Sequence, residues 1–156
     1  DSWERYIEVV YGYMTVPVRF LEEVKIRRTL LDKITVVSPW VTNESFVLSL
    51  TAQLENYDSP QIRVLRTRPR SDRRPEQHQK CVGMLSKAGF DVKFLHDLHA
   101  KVYLGLSYRN PPDSFAMISS ANLTEDSVFD VAVLLFGVTD DFLDTIFSLD
   151  SIFAYS

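Results

Sequence analysis

Three apolar segments in the second half of the sequence decide its fold: DVKFLH at residues 91–96, HAKVYLG at 99–105 and FAMIS at 115–119. Each is short and bounded by turn-forming or polar residues, a pattern typical of β-strands. In the second segment the period of two places His99, Lys101 and Tyr103 on one face of the predicted strand. The three segments follow one another closely, which indicates clustered strands of one sheet.

The sequence on either side of these strands alternates between helical and strand patterns. Helices are predicted over 1–13, where Asp1 and Glu4 form a capping-box pattern, and over 17–31, 42–54, 75–89 and 140–149. Further strands are predicted over 34–39, 61–65 and 131–137. The alternation indicates an α/β fold with a mixed β-sheet sandwiched by helices.

Composition narrows the class of protein. The chain has 156 residues, of which 46% are hydrophobic and 24% charged, values typical of a globular domain and not of a disordered or fibrous chain. The uncharged apolar stretch 131–139 and the longest uncharged stretch, 114–124, are both far shorter than the roughly 20 apolar residues of a membrane helix. The single Cys81 suits a reducing compartment. We expect one cytoplasmic domain over 1–156, either a trimmed chain or a domain cut from a longer protein.

The charges are distributed unevenly along the chain. All 17 Lys and Arg lie in residues 1–109, against 13 acidic residues there, while residues 110–156 carry 8 acidic residues and no basic ones. Six arginines fall between residues 63 and 74, interrupted by Pro69: Arg63, Arg66, Arg68, Arg70, Arg73 and Arg74. This stretch is interpreted either as a solvated surface loop or as an arm that binds phosphates, because guanidinium groups match phosphate oxygens.

Two short motifs could carry chemistry on a phosphate ester. In His99-Ala-Lys101 an imidazole could attack phosphorus while the neighbouring ammonium balances the charge on the phosphoryl oxygens. After the strand 115–119, Ser120 and Asn122 offer hydrogen-bond donors at a strand end. Each motif alone is also common in ordinary strands and turns.

Together the two motifs resemble the signature of the phospholipase D superfamily, which combines His-x-Lys with a Gly-Ser-x-Asn-like turn after the next strand. The resemblance implies a phospholipase D-like domain in which His99 forms a phosphohistidine intermediate, Lys101 stabilises charge, and Ser120 and Asn122 hold phosphoryl oxygens. It also implies catalysis without a metal or cofactor. Because the chain carries one such motif, the second histidine is expected from another copy, which predicts a homodimer with a composite site.

The sequence departs from the family pattern at three positions. Leu106 stands where an Asp is frequent, Ser119 where a Gly is usual, and Asp130 is the candidate for a glutamate that orients the histidine. The first two changes are tolerated in nuclease-type members. Either Asp130 substitutes for the glutamate, or the domain is a weak or inactive enzyme.

The arginine-rich stretch favours a nucleic acid as substrate. The sequence therefore predicts a metal-independent endonuclease, DNA being the preferred substrate. Its nucleic-acid-binding residues are predicted to be Arg66, Arg68, Arg70, Arg73, Arg74 and Tyr103. The alternatives are a phospholipid phosphodiesterase and an inactive module for nucleic-acid binding or dimerisation. The pairs His78 with Cys81 and His96 with His99 are too few ligands for a zinc site, so no metal is expected.

Overall fold

In the computed structural model, residues 6–126 and 128–154 are described, and they form seven strands and four helices. The strands are β1 (Ile7–Tyr13), β2 (Lys33–Val37), β3 (Ile62–Thr67), β4 (Asp91–Phe94), β5 (Val102–Leu106), β6 (Phe115–Ser119) and β7 (Phe129–Phe136). The helices are α1 (Thr15–Arg27), α2 (Glu44–Leu54), α3 (Pro75–Lys87) and α4 (Asp140–Ala154). None of the described helices is long and apolar enough to cross a membrane.

All seven strands belong to one mixed sheet in the order β1-β7-β6-β5-β2-β3-β4. Strands β2, β3 and β4 pair in parallel, and α2 and α3 connect them in turn. The pairs β2–β5, β5–β6, β6–β7 and β1–β7 are antiparallel. The predicted α/β class with a mixed sheet is confirmed.

Helices cover both faces of the sheet, as the sequence predicts. Helices α1, α2 and α3 pack on one face, where Phe20, Leu50 and Leu85 meet strand residues such as Tyr103 in the larger apolar core. Helix α4 packs on the other face against β5 and β6 in a smaller core. A buried ion pair between Lys33 and Asp150, 2.8 Å from Nζ to Oδ2, fixes α4 to β2.

The first element is a correction. A helix is predicted over residues 1–13, but residues 7–13 form strand β1, while the capping-box pattern of Asp1 and Glu4 lies outside the described residues. β1 pairs with β7 along its whole length, from Ile7 opposite Leu135 to Tyr13 opposite Phe129. Its valines and tyrosines suit an extended chain better than a helix, and this pairing outweighs the local helix signal.

The remaining elements lie close to their predicted positions, with three differences. Helix α1 ends at Arg27, four residues before the predicted end. Helix α4 continues to Ala154, five residues beyond the predicted end. The strand predicted over 99–105 begins only at Val102, so His99 and Lys101 lie in the loop that precedes β5. This shift frees their side chains from the sheet.

One end of the sheet collects the segments with candidate functional residues. Because β2 and β3 are parallel and β5 and β6 run antiparallel, the ends of β2, β3 and β6 lie beside the start of β5. The start of β7 and the end of β1 lie there too. We call this the site end of the sheet. The loops 38–43, 68–74, 95–101 and 120–126 all lie at the site end.

Candidate functional site

The start of β5 and the end of β6 bring the two predicted motifs together. The backbone N–H of Ser119 donates to the carbonyl of Lys101 at 2.9 Å, which continues the antiparallel pairing by one residue. The loop carrying His99 therefore ends next to the turn that carries Ser120 and Asn122. This proximity follows from the strand pairing alone and was anticipated by the motif spacing.

His99 is exposed and contacts Arg68. The Nη2 atom of Arg68 lies 3.1 Å from Nε2 and 3.3 Å from Nδ1 of the imidazole. A guanidinium group only donates hydrogen bonds, so the ring nitrogen that bonds to it must carry a lone pair. Nε of Arg68 also donates to the carbonyl of Leu98 at 2.7 Å. Arg68 thus holds both the histidine ring and the backbone beside it.

Lys101 is half-buried at the edge of the same loop. Its ammonium forms no ion pair with any residue in the ranges 6–126 and 128–154. The described ion pairs of the other lysines engage Lys33 and Lys80 at distant positions. The charge of Lys101 is therefore not neutralised by a carboxylate of the described residues.

Ser120 and Asp130 bind each other. The hydroxyl of Ser120 donates to Oδ1 of Asp130 at 2.8 Å and accepts from the N–H of Val131 at 3.1 Å. The only hydroxyl proton of Ser120 is therefore directed to Asp130, and a phosphoryl oxygen would have to take that proton's place. Within the described part of the chain, the hydrogen-bond partner of the Asp130 side chain is Ser120, and the ring of His99 bonds to Arg68 instead.

Asn122 lies in a turn that is tied to the end of β2. The N–H of Leu123 donates to Oγ of Ser38 at 3.1 Å, and the N–H of Thr42 donates to the carbonyl of Leu123 at 2.8 Å. Oδ1 of Asn122 is buried and has no hydrogen-bond partner among the described residues. Asn122 and Trp40 border a cavity of about 190 Å³. Trp40 also stacks on Arg68, with 5.8 Å between the guanidinium carbon and the ring centroid.

The structure removes Tyr103 from the predicted binding residues. Its side chain is fully buried against Phe20, with 5.6 Å between ring centroids, and its hydroxyl donates to the carbonyl of Ala121. Burial raises the pKa of Tyr103. The ring cannot stack on a base, but its hydroxyl supports the turn that leads to Asn122. The prediction that Tyr103 and His99 share one strand face is wrong, because His99 lies in the loop before β5.

Arg66 is the second correction. Only 1% of Arg66 is exposed, and its guanidinium donates to the carbonyls of Phe153 and Asp91, both at 3.0 Å. It links β3 to the end of α4 and to β4, so it is a structural residue. Arg63 is half-buried in a similar way and donates to the carbonyl of Ala88 at 2.7 Å.

The other predicted arginines lie at the site end. Arg68 contacts His99, and Arg70 is exposed in the following loop. Arg73 lies 3.6 Å from Asp126, measured from Nη1 to Oδ2, and Arg74 is paired with Glu125. The basic loop is therefore partly neutralised by the loop that follows Asn122, which the sequence did not predict.

Sequence reasoning also missed the role of His78, which is fully buried. Its Nδ1 accepts from the N–H of Val41 at 3.0 Å, and its Nε2 donates to the carbonyl of Arg68 at 2.7 Å. Burial lowers the pKa of His78, so the neutral ring is favoured. The residue connects α3 to the two loops that carry Trp40 and Arg68. Its position on the apolar side of the predicted helix 75–89 was the available signal.

No group of three or more His, Cys, Asp or Glu side chains that could hold a metal ion occurs in residues 6–126 and 128–154. Cys81 is buried in the core beneath α3, and burial raises the pKa of its thiol to about 11. It behaves as a small apolar side chain. The chemical possibilities of the site therefore depend on His99, Lys101, Asn122 and the arginines of the 68–74 loop.

Comparison with known proteins supports the fold. No protein-family model matches the sequence, and no curated protein matches it either. Among solved structures, a phospholipase D family member, Nuc from Salmonella typhimurium, superposes with a TM-score of 0.68 over 96% of this chain and 95% of its own, at 12% identity. NucT from Helicobacter pylori superposes with a TM-score of 0.61 over 96% of this chain and 94% of its own, also at 12% identity.

A polyphosphate kinase from Porphyromonas gingivalis is similar over a much smaller share of its length. It superposes with a TM-score of 0.70 and 17% identity over 98% of this chain, which spans only 26% of the kinase. These likenesses extend over nearly the whole of the chain. The chain has the phospholipase D-like fold, and the resemblance stated from the two motifs is confirmed at the level of the fold.

Proposed function

We propose that this chain is a phosphodiesterase of the phospholipase D type that hydrolyses nucleic acid through a phosphohistidine on His99. DNA is the preferred substrate in this proposal. The observation that carries the proposal is the exposed His99 at the site end, with Arg68 at 3.1 Å and with Lys101, which pairs with no carboxylate of the described residues, two residues further on. An accessible imidazole in contact with a cationic side chain, with a lysine two residues further along the chain, suits attack on a phosphodiester, whose charge would otherwise repel a nucleophile.

The reaction follows from these groups. In the free protein the lone pair of His99 accepts from Arg68, so the substrate must first draw this guanidinium group onto its phosphoryl oxygens. The freed lone pair then forms a bond to phosphorus, and the bond from phosphorus to the leaving ester oxygen breaks. Arg68 and Lys101 stabilise the charge on the non-bridging oxygens, and the amide of Asn122 donates to one of them. A proton from a second histidine neutralises the leaving oxygen. Water, deprotonated by that same histidine, then attacks phosphorus and releases His99. No step requires a metal or cofactor.

Ser120 and Asp130 act next to this centre. In the free protein the hydroxyl of Ser120 donates a hydrogen bond to Oδ1 of Asp130, with 2.8 Å between the two oxygen atoms. A bound phosphate competes with Asp130 for this hydrogen bond. Until the substrate arrives, Asp130 holds the hydroxyl at the site end. Asp130, the candidate for the family glutamate, thus orients Ser120, while Arg68 contacts His99.

A homodimer would supply the second histidine. One face of β1 and β7 is not covered by α4 and consists of six exposed apolar side chains: Val9, Tyr11, Tyr13, Phe129, Val131 and Val133. We call this set the β1–β7 face. It carries no charged side chain and reaches the site end at Tyr13 and Phe129. Contiguous exposed apolar patches mark interaction surfaces, and a second copy pairing here would bring its His99 loop toward this one.

Nucleic acid is the favoured substrate because the loop that begins with Arg68, the contact of His99, carries three further arginines at the site end. Arg68, Arg70, Arg73 and Arg74 would contact successive phosphates of a strand, and Trp40 offers a partly exposed ring for a base. A single lipid headgroup would use fewer of these charges. The absence of a carboxylate at His99 within the described residues is the observation that favours the alternative of an inactive binding module.

The substrate class is tested by incubating the protein, in EDTA, with labelled single- and double-stranded DNA, RNA, and vesicles of anionic phospholipid. We expect cleavage of DNA and none of lipid. Cleavage of lipid alone would establish the phospholipid alternative, and binding of DNA without cleavage of any substrate would establish the inactive module.

A further inference from the structure

Two of the arginines predicted to bind phosphate, Arg73 and Arg74, are already paired with carboxylates in this structure. Arg74 is paired with Glu125, and Nη1 of Arg73 lies 3.6 Å from Oδ2 of Asp126. We call these two pairs the carboxylate clasp. The two acidic residues lie just after Asn122 in the sequence, so the clasp joins the basic loop to the turn of the candidate site.

The clasp is anchored on the acidic side. Oε2 of Glu125 accepts from Oγ1 of Thr42 at 2.7 Å, which fixes the carboxylate against the loop after β2. On the basic side, the backbone N–H of Arg74 donates to Oγ of Ser71 at 3.3 Å. Both ends are thus held by the backbone or by neighbouring side chains, and the two arginines face a preformed pair of anions.

The clasp also borders the candidate site. Arg73, Arg74 and Asp126 line the cavity of about 190 Å³ to which Trp40 and Asn122 contribute. A strand of nucleic acid that reaches His99 past Trp40 would meet the clasp, and its phosphates would compete with two carboxylates for the same guanidinium groups.

We infer that Glu125 and Asp126 are specificity-determining residues that occupy the anion-binding arginines until a polyphosphate backbone displaces them. The inference rests on the proposed function, since it concerns the same substrate. Exposed ion pairs are weak and are readily exchanged, so a ligand with several phosphates displaces both carboxylates, whereas a single phosphate gains little from displacing one. The clasp therefore favours a chain of phosphates over isolated phosphate groups.

The test compares two charge-matched variants in a His99→Ala background, where no cleavage interferes. Glu125→Gln with Asp126→Asn removes the clasp carboxylates. Glu55→Gln with Asp144→Asn removes two exposed carboxylates at the opposite end of the sheet and changes the net charge equally. Binding of a labelled single-stranded DNA of about 20 nucleotides, which spans several phosphate contacts, is measured by fluorescence anisotropy at low salt.

We expect the clasp variant to bind about tenfold more tightly than the control variant, because two exposed ion pairs no longer compete. The gain should vanish when Arg73→Ala and Arg74→Ala are added, which separates competition from a structural effect of the loop. Equal affinity of the two variants, or a gain that persists without the arginines, would overturn the inference. Absence of DNA binding by every protein, including the His99→Ala parent, would instead overturn the proposed function.

Selectivity is measured with the same proteins. Inorganic phosphate is added as a competitor of the labelled DNA, and the concentration that displaces half of it is determined. We expect loss of the clasp to lower the ratio of this phosphate concentration to the Kd of the DNA, because single phosphates then reach free arginines. An unchanged ratio would contradict the role of the clasp in selectivity.

Discussion

Nη2 of Arg68 lies 3.1 Å from Nε2 of His99, while Nε of the same arginine donates to the carbonyl of Leu98 at 2.7 Å. The contact joins the end of β3 to the loop before β5, two segments that are 31 residues apart in sequence. It explains how an exposed histidine can have a defined orientation without a carboxylate beside it. Arg68 also places a positive charge where a phosphoryl oxygen would lie.

Arg68 is therefore expected to affect the rate more than the binding. We predict that Arg68→Ala lowers kcat by about 10²-fold, since it removes a charge beside the reacting phosphate and frees the ring of His99. DNA affinity should fall only as much as after loss of one phosphate contact. Steady-state cleavage and anisotropy with the same oligonucleotide separate the two effects. An Arg68→Ala variant whose loss appears entirely in KM would refute this assignment.

The exposed arginines should determine how binding depends on salt. Replacing Arg70, Arg73 and Arg74 by Ala is predicted to lower the slope of log affinity against log salt by about 2, close to the 0.7 per phosphate contact known for single strands. Titrations between 50 and 200 mM salt, roughly the range over which such slopes are resolved, provide the measurement. If the slope stays the same, the loop does not contact the backbone.

Arg66 should behave in the opposite way. Arg66→Ala removes a buried guanidinium that donates to the carbonyls of Phe153 and Asp91, and those acceptors remain without partners. We predict a loss of about 3 kcal/mol in the free energy of unfolding. The salt slope of the folded variant should equal that of the wild type. Urea denaturation gives the first quantity, and a stable variant with weakened DNA binding would restore Arg66 to the interface.

His78 gives the protein a pH-dependent stability. Its pKa is lowered from 6.5 by burial, so the unfolded chain takes up the proton more readily than the folded one. The stabilising effect is complete above about pH 6.5 and is lost as the pH falls below that value. The thermal unfolding midpoint should therefore fall more between neutral and mildly acidic pH in the wild type than in His78→Gln. Parallel decreases in both proteins would exclude His78 as the cause.

The β1–β7 face should control the oligomeric state. We predict a dimer by sedimentation for the wild type and a monomer for Val131→Glu, because a charge in the centre of an apolar interface is not solvated. Ile26→Glu on α1, where the residue is 72% exposed, is the matched control and should remain dimeric. A wild type that is monomeric at cleavage-active concentrations would remove the composite site from the account.

The sequence predicts most of the fold because the strands in its second half are compact apolar segments with clear boundaries. The helices α2 and α3 are likewise marked by capping residues and apolar stripes. The sequence does not predict strand β1, because the pattern of Asp1 and Glu4 is typical of a helix start. Its partner β7 lies more than a hundred residues away. Local signals do not contain that pairing.

The site was predicted in part for a similar reason. The segments that carry His99, Lys101, Ser120 and Asn122 are joined by the pairing of β5 with β6, which the order of the motifs predicts. The catalytic roles of these residues stay predictions. Arg66 belongs to the arginine-rich stretch and Tyr103 shares the predicted strand face of His99, so the sequence favours binding for both, and only the three-dimensional packing places them inside. The clasp and the role of His78 depend on contacts between distant loops, which composition cannot indicate.

The most direct test of the account is cleavage of labelled single- and double-stranded DNA in EDTA by the wild type and by His99→Ala. We predict cleavage by the wild type alone, while the variant retains its affinity for the same DNA. This result would identify His99 as the nucleophile of a reaction that proceeds in EDTA. Equal cleavage by both proteins, or none by either, would contradict the central claim.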